Sequence, residues 1–417
     1  MRDPRRQLVQ GNSYKVVYPD FPSFDLKPYK LELIQAMGKH DILKVHYPDT
    51  VPFMLDALAT GALVDVTWKN DKVSGNFKGY KYDSTYSSSV ERKRRTVITF
   101  LGASFVLKES GYNIWVNKTA PEIVTEIATK FKLKPIVTPH PTRFSQQSMA
   151  GHSYWEKINE LADVIGYGIQ MQGTELHFHP IDIMIDKFLT TVPSLAILDY
   201  GASEDTVHEA RTLEYFEPKL GDYLEGQTHK RTEKIVQSVD PYTAKVYNSK
   251  VSPNSVGKKL QKKTKDPLFS QIETRTVSAS STMSYEMAKA KAEKSRLSVK
   301  AKGAGQGDPR IAPWRTVDVS GTETTANGLW VIETAHHVMT ADYRYIVEFT
   351  CVTDGVERQE TGKRHSELGT IPYRNISYEL TSPNQGKPTQ SVLNASSTIV
   401  SQANTGFKVT PRRWEAR

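Results

Sequence analysis

Between residues 284 and 353 the hydrophobic period changes once, from helical to extended, and this constrains the fold more than any other part of the sequence. The stretch opens with SYEMAKAKAEKSRLS, whose strong helix formers predict about four helical turns over 284–298. A polar strand follows, then a turn built on Asp308-Pro309 and Pro313-Trp314. Three runs rich in β-branched and aromatic residues come next, at 316–320, 329–339 and 343–352. Gly321 and Asn327-Gly328 separate the first two, and Thr340-Ala341-Asp342 separates the last pair. One helix feeding such a meander predicts a small barrel or sandwich unit.

An earlier stretch, 63–103, follows the same plan. Val64-Asp65-Val66-Thr67 matches Val317-Asp318-Val319-Ser320, and a polar turn follows each. A Gly- or Asn-bearing element comes next (Gly75-Asn76, Asn327-Gly328), then an aromatic-bearing strand (77–82, 329–334) and a later apolar strand (96–101, 343–352). Internal duplication is the expectation to test, against the alternative that any two β-meanders look alike.

Elsewhere, 1–25 is Pro-rich and reads as an extended lead-in. Strands are expected at 29–34 and 42–47, and a short helix at 52–60 with Pro52 near its start and Gly61 closing it. Between the two meanders the period becomes 3.6 residues. Thr119 can cap a helix with Pro121 and Glu122 in its first turn. Ser153 and Glu156 form a capping box for a second helix, which Gly166 ends. A hairpin around Gly173 completes an α+β insert. Strand character resumes at 192–200 and 206–214, whereas 218–272 is polar and basic and reads as a long insertion or flexible loop. Residues 356–417 lack sustained periodicity and read as an extended arm.

The 417 residues exceed one ordinary core and suggest two to four domains. No run of about eighteen apolar residues marks a membrane span, and the N-terminus lacks a signal peptide's apolar core. The lone cysteine, Cys351, excludes an internal disulfide and a cysteine-based zinc site, and its apolar neighbours predict an inert core thiol. A net charge of +9 permits anionic partners without requiring one.

Candidates for chemistry are few. His177 and His179 project from one strand face and suit a metal, but no third ligand is suggested, so a solvent-side polar face is expected. His336 and His337 point to opposite faces and read as ordinary polar strand residues. GAGQGDP at 303–309 lacks the flanking strand and helix of a phosphate cradle and reads as a turn. Asp65 and Asp318 occupy equivalent strand positions and read as structural. No P-loop, GxSxG or HExxH occurs; no catalytic, cofactor-binding or metal residue is assigned, and no cofactor is expected. The basic runs at 91–95 and 258–265 lack interleaved aromatics, so they suit solvated loops or docking to acidic proteins better than single-strand stacking. The protein-contact candidates are Lys258, Lys259, Lys262, Lys263, Arg412, Arg413 and Trp414.

Taken in order, these motifs resemble the phage tail hub family: baseplate hubs, late control protein D and the hub part of type VI secretion spike proteins. The likeness is carried by the 284–298 helix, the Asp308–Trp314 turn, Val317-Asp318-Val319-Ser320-Gly321, Gly328-Leu329-Trp330-Val331-Ile332, His336-His337 and Tyr343-Arg344-Tyr345-Ile346-Val347. Trp314 stands where that family usually has glycine, and Trp330 where it has tyrosine. Ser153-Tyr154-Trp155 with Gly173-Thr174-Glu175-Leu176 is similar to the family's middle domain, and 117–124 looks like a phage minor tail protein.

The resemblance implies an α+β, mainly β fold: two tail-tube-like β-barrel domains (26–110 and 196–355) flanking an α+β insert (111–195). It implies a homotrimer whose six barrels form a pseudo-hexameric ring. That ring would join a hexameric tail tube or distal tail protein to a central spike or tip and line the channel for passing DNA. The protein would be a non-enzymatic virion component made in the host cytoplasm. A cell-wall-degrading or peptidoglycan-binding tail component, and a nucleic-acid-binding protein using the basic loops, are the alternatives.

Overall fold

A computed structural model of the protein describes residues 12–21, 27–48, 58–70, 73–87, 95–187, 194–196, 211–219, 232–240, 242–257, 259–260, 269–278, 280–322, 326–342 and 344–355. Most of the 52–60 segment, residues 91–94 of the first basic run, and the whole of 356–417 lie outside them. The chain is mainly β, with an α+β region between two β units.

The first unit comprises β1 (Ser13–Val17), β2 (Lys30–Ala36), β3 (Ile42–Tyr47), β4 (Leu63–Lys69), β5 (Ser74–Ser87) and β6 (Arg95–Gly102). Its strands lie in the order β1-β4-β5-β6-β3-β2, every neighbouring pair antiparallel. Alternate residues turn inward, as a half-buried strand requires. Leu31, Leu33, Leu43, Val45, Val64, Val66, Ile98 and Phe100 are fully buried in one core.

The insert begins with a 3-10 turn, Ala103–Lys108. Then come β7 (Ser110–Thr119), α1 (Ala120–Lys130), β8 (Lys134–Val137), β9 (Arg143–Ser153), α2 (Tyr154–Ile165), β10 (Tyr167–Gln172), β11 (Glu175–Pro180) and α3 (Ile181–Lys187). The expected Ser153–Glu156 capping box forms, and the expected Thr119 cap is itself a capping box with Glu122. The Glu122 amide donates to Thr119 Oγ1 at 3.4 Å and the Thr119 amide to Glu122 Oε2 at 2.8 Å. Ser153 and Glu156 repeat the exchange at 3.2 and 2.8 Å. Gly166 ends α2 at φ 75°, a left-handed conformation that glycine adopts without a Cβ penalty. The apolar stripes of α1 and α2 meet over the β10-β11-β8 sheet in a second core.

The second unit contains β12 (Ser194–Ala196) and β13 (Arg211–Lys219). Before it resumes, the polar 218–272 stretch carries β14 (Thr232–Val239), β15 (Val246–Val251) and the start of β16 (Phe269–Val277). These three strands form a sheet, β15-β14-β16, where the sequence reads as an insertion or loop. Few apolar residues suffice, because the sheet packs on a nearly bare helix surface. Val236, Val251 and Val256 meet Ala288 and Ala292 of α4 (Ser281–Arg296). That helix starts three residues before the expected position, capped by Ser280, whose Oγ accepts from the Met283 amide at 3.1 Å.

β17 (Val299–Gln306), β18 (Thr316–Ser320), β19 (Gly328–Thr340) and β20 (Tyr345–Thr353) complete the second unit. GAGQ therefore lies in a strand rather than a turn. Its glycine makes room for rings: a Cβ on Gly303 would fall 2.7 Å from Phe349 and 3.1 Å from Phe216. The unit's strand order is β12-β18-β19-β20-β17-β13. Numbered by position within each unit, both sheets read 1-4-5-6-3-2. Their irregularities also coincide. Val64 faces Gly79 and Val317 faces Trp330, and three residues beyond each partner, at Tyr82 and Glu333, the register shifts by one.

The units differ at one edge. In the second, β12 pairs with β13, so the pairings return to their start. In the first, β2 pairs instead with β19 of the second unit, Lys30–Ala36 against Thr340–Thr334. Twelve strands thus form one continuous sheet.

Candidate interaction surfaces and polar clusters

His177 and His179 share a face of β11, with ring centroids 5.8 Å apart, but both are buried rather than solvent-side. Both faces of β11 are covered, so the alternation of the sequence does not mark an exposed side. Thr138 Oγ1 lies 2.8 Å from His179 Nδ1, and Glu175 Oε2 lies 3.5 Å from His177 Nε2. Among the described residues no group of three or more His, Cys, Asp or Glu side chains is arranged to hold a metal ion.

His336 and His337 do point to opposite faces, with unequal consequences. His336 is partly exposed and faces Glu32 and Glu348, at 3.9 and 3.6 Å. Glu32 also contacts Lys30 and lies 3.4 Å from His46 Nε2. His337 is fully buried, and its Nδ1 lies 2.8 Å from Tyr345 Oη. Trp68 Nε1, which can only donate, reaches the same oxygen at 3.1 Å. Tyr345's own proton is then free to point at a neutral His337 Nδ1. Burial holds His337 near this neutral state, lowering its pKa to about 4. The relay ties β4 of the first unit to β19 and β20 of the second, and single-residue patterns give no sign of it.

Asp65 and Asp318 lie on β4 and β18, each between two buried valines. Asp65 pairs with Lys78 at 3.3 Å. Cys351 is fully buried in the second core, and burial pushes its thiol pKa well above the usual range, which disfavours thiolate chemistry.

Two further residues organise the joint between insert and second unit. Trp314 sits at φ 66°, the left-handed region that usually selects glycine. Its indole donates to the Ile169 carbonyl at 3.0 Å, and its ring lies so close to Gly168 that a Cβ there would fall 2.8 Å away. Ile181, Met184 and Ile185 of α3, with Val331 and Val352, enclose it. Arg296, at the end of α4, is buried to 1% exposure of its side chain. It reaches Asp182 Oδ1 at 2.7 Å and the fully buried Asp354 at 3.6 Å. Asp354 Oδ2 also accepts from the Leu260 amide at 2.8 Å. In a lysine-rich helix, nothing in the sequence separates Arg296 from its exposed neighbours.

Of the expected contact residues, Lys259 is described and exposed. Lys258, Lys262, Lys263, Arg412, Arg413 and Trp414 lie outside the described residues. Two other surfaces stand out. Tyr112, Ile114 and Val116 alternate along β7 and are 74%, 43% and 63% exposed, an apolar row legible as a period of two. At the sheet's end, β1 pairs only with β4, so its outer edge carries no strand among the described residues. Among those residues, no helix is long and apolar enough to cross a membrane.

No protein-family model matches the sequence, and no curated protein matches it. Solved structures do. The 43 kDa tail protein of prophage MuSo2 from Shewanella oneidensis superposes with a TM-score of 0.56 at 12% identity, over 82% of this chain and 98% of that one. A tail protein from Neisseria meningitidis gives 0.58 at 12% identity, over 83% and 98%. An E. coli component of the type VI secretion system, itself structurally similar to the T4 bacteriophage tail proteins gp27 and gp5, gives 0.52 at 10% identity, over 82% and 76%. The chain has the fold of these phage-tail and type VI secretion proteins.

Proposed function

We propose that this protein is a structural hub at the distal end of a phage tail or a related injection device. Three copies present six β units, residues 26–110 and 196–355 of each chain, as a pseudo-sixfold ring. Each unit acts as a tube-like barrel, and the α+β insert lies at the periphery. The ring meets a hexameric tail tube on one side and a threefold spike or tip on the other, and DNA passes through it without sequence-specific contacts. It works by geometry rather than catalysis, and it enters the virion after synthesis in the host cytoplasm. Lys258, Lys259, Lys262 and Lys263, with Arg412, Arg413 and Trp414, contact neighbouring tail proteins.

The observation that carries this reading is one six-strand order, with its register shift, occurring twice in one chain. A hexameric neighbour sees six similar edges and a trimeric neighbour sees three identical chains, so the duplication itself reconciles the two symmetries. Native mass spectrometry of the purified protein, with electron microscopy of tails carrying a labelled subunit, tests it. Three copies at the tail tip are expected. A strictly monomeric mass in solution and in reconstituted tails overturns the proposal.

A further inference from the structure

The first unit lacks the pairing that completes the second. There β12 is bonded to β13, but among the described residues the equivalent edge of β1 carries no strand, and β2 is engaged by β19. A cleft of about 330 Å³ lies along this edge, between β1 and the turn that joins β19 to β20. Its apolar lining includes Val16, Met339 and Ala341. Tyr14 spans one end, donating to the Pro28 carbonyl at 2.7 Å.

Four cations line the cleft: Lys15, Lys27, Lys69 and Arg344. All four are exposed, and none lies in an ion pair with a carboxylate within 4.0 Å among the described residues. The nearby carboxylate of Asp342 is held by the Thr340 hydroxyl and by the Arg344 backbone; it stays ionised, its pKa lowered first by the Thr340 bond, and it offsets part of the Arg344 charge, which leaves the three lysines unopposed by it. The site therefore combines a backbone edge that carries no strand among the described residues, an apolar floor and an excess of positive charge.

We propose that this cleft binds an extended acidic segment of another protein chain, which adds as a strand to β1. Main-chain bonds to the open edge supply affinity, and carboxylates opposite the four cations supply selectivity. Phosphate backbones would also meet the charge, but they have no use for unpaired amide and carbonyl groups or for the apolar floor. The inference does not depend on the ring geometry proposed above.

The test uses the full chain and a fluorescent peptide of alternating glutamate and valine. Controls are the same peptide with lysine for glutamate and a single-stranded oligonucleotide. The acidic peptide is expected to bind, to weaken with salt, and to slow amide hydrogen exchange across Ser13–Val17. Lys15→Glu with Arg344→Glu, both on exposed side chains, should weaken it by about tenfold or more. Unchanged affinity in that variant, or binding that leaves the β1 amides unprotected, overturns the proposal. So does an oligonucleotide that binds as tightly as the peptide.

Discussion

Trp314 holds a backbone conformation that costs a non-glycine residue about 1–2 kcal/mol, and its ring must more than offset that cost. Removing a buried tryptophan ring typically costs about 3–5 kcal/mol. Trp314→Ala loses the ring and keeps the strain, whereas Trp314→Gly loses the ring and relieves the strain. Both should destabilise the fold, but Trp314→Gly by about 1 kcal/mol less than Trp314→Ala, reversing the usual order of these two residues. Denaturant unfolding of the two variants measures the difference. Arg296 makes a different case, because it is a buried charge. Arg296→Met removes the guanidinium that lies 3.6 Å from the buried Asp354 carboxylate and should cost about 3–5 kcal/mol. Adding Asp354→Asn should recover part of that loss in the same titration.

At the scale of elements, the end of α2 packs on the middle of α4. A Cβ on Gly166 would lie 2.9 Å from Ala290 Cα, at a residue already in the left-handed region. Gly166→Ala should therefore cost more than about 1 kcal/mol and lower the melting temperature, read by circular dichroism. Features governed by local chemistry were legible in the sequence: the Thr119 and Ser153 caps, the Gly166 stop, the hairpin around Gly173 and the repeated strand plan. Features set by distant partners were not. His177 and His179 have the alternation of a half-exposed strand, and only the packing of both faces of β11 buries them. The β14–β16 sheet was hidden because an alanine-faced helix asks for so few apolar partners. The β2–β19 pairing joins segments some three hundred residues apart and leaves no mark in either.

For the molecule as a whole, buried and half-buried titrating groups pull stability in opposite directions with pH. Burial raises the pKa values of Asp41 and Glu293 to about 7, and a nearby Asp182 adds to the rise at Glu293. Their contribution is fully present below the unfolded carboxylate range, near pH 4, and is lost as pH rises through about 7. Burial lowers His40 and His337 to about 4, and their contribution, present above about 6.5, is lost as pH falls through that lower value. The two trends oppose each other between about pH 4 and 7, so stability should vary little there. Glu293→Gln should unmask the histidine trend, with stability falling more steeply on acidification. Unfolding free energies measured across this range check the sign.

The sharing of β19 has a mechanical consequence. Along its length β19 is bonded to β18, then to β2, and to β20 on the other side. The two β units therefore meet through a seven-residue ladder rather than a linker, with the Trp68–Tyr345–His337 relay pinned beside it. A load drawn along these strands is resisted by many backbone bonds in parallel. Strain imposed on one unit therefore passes through this ladder into the other.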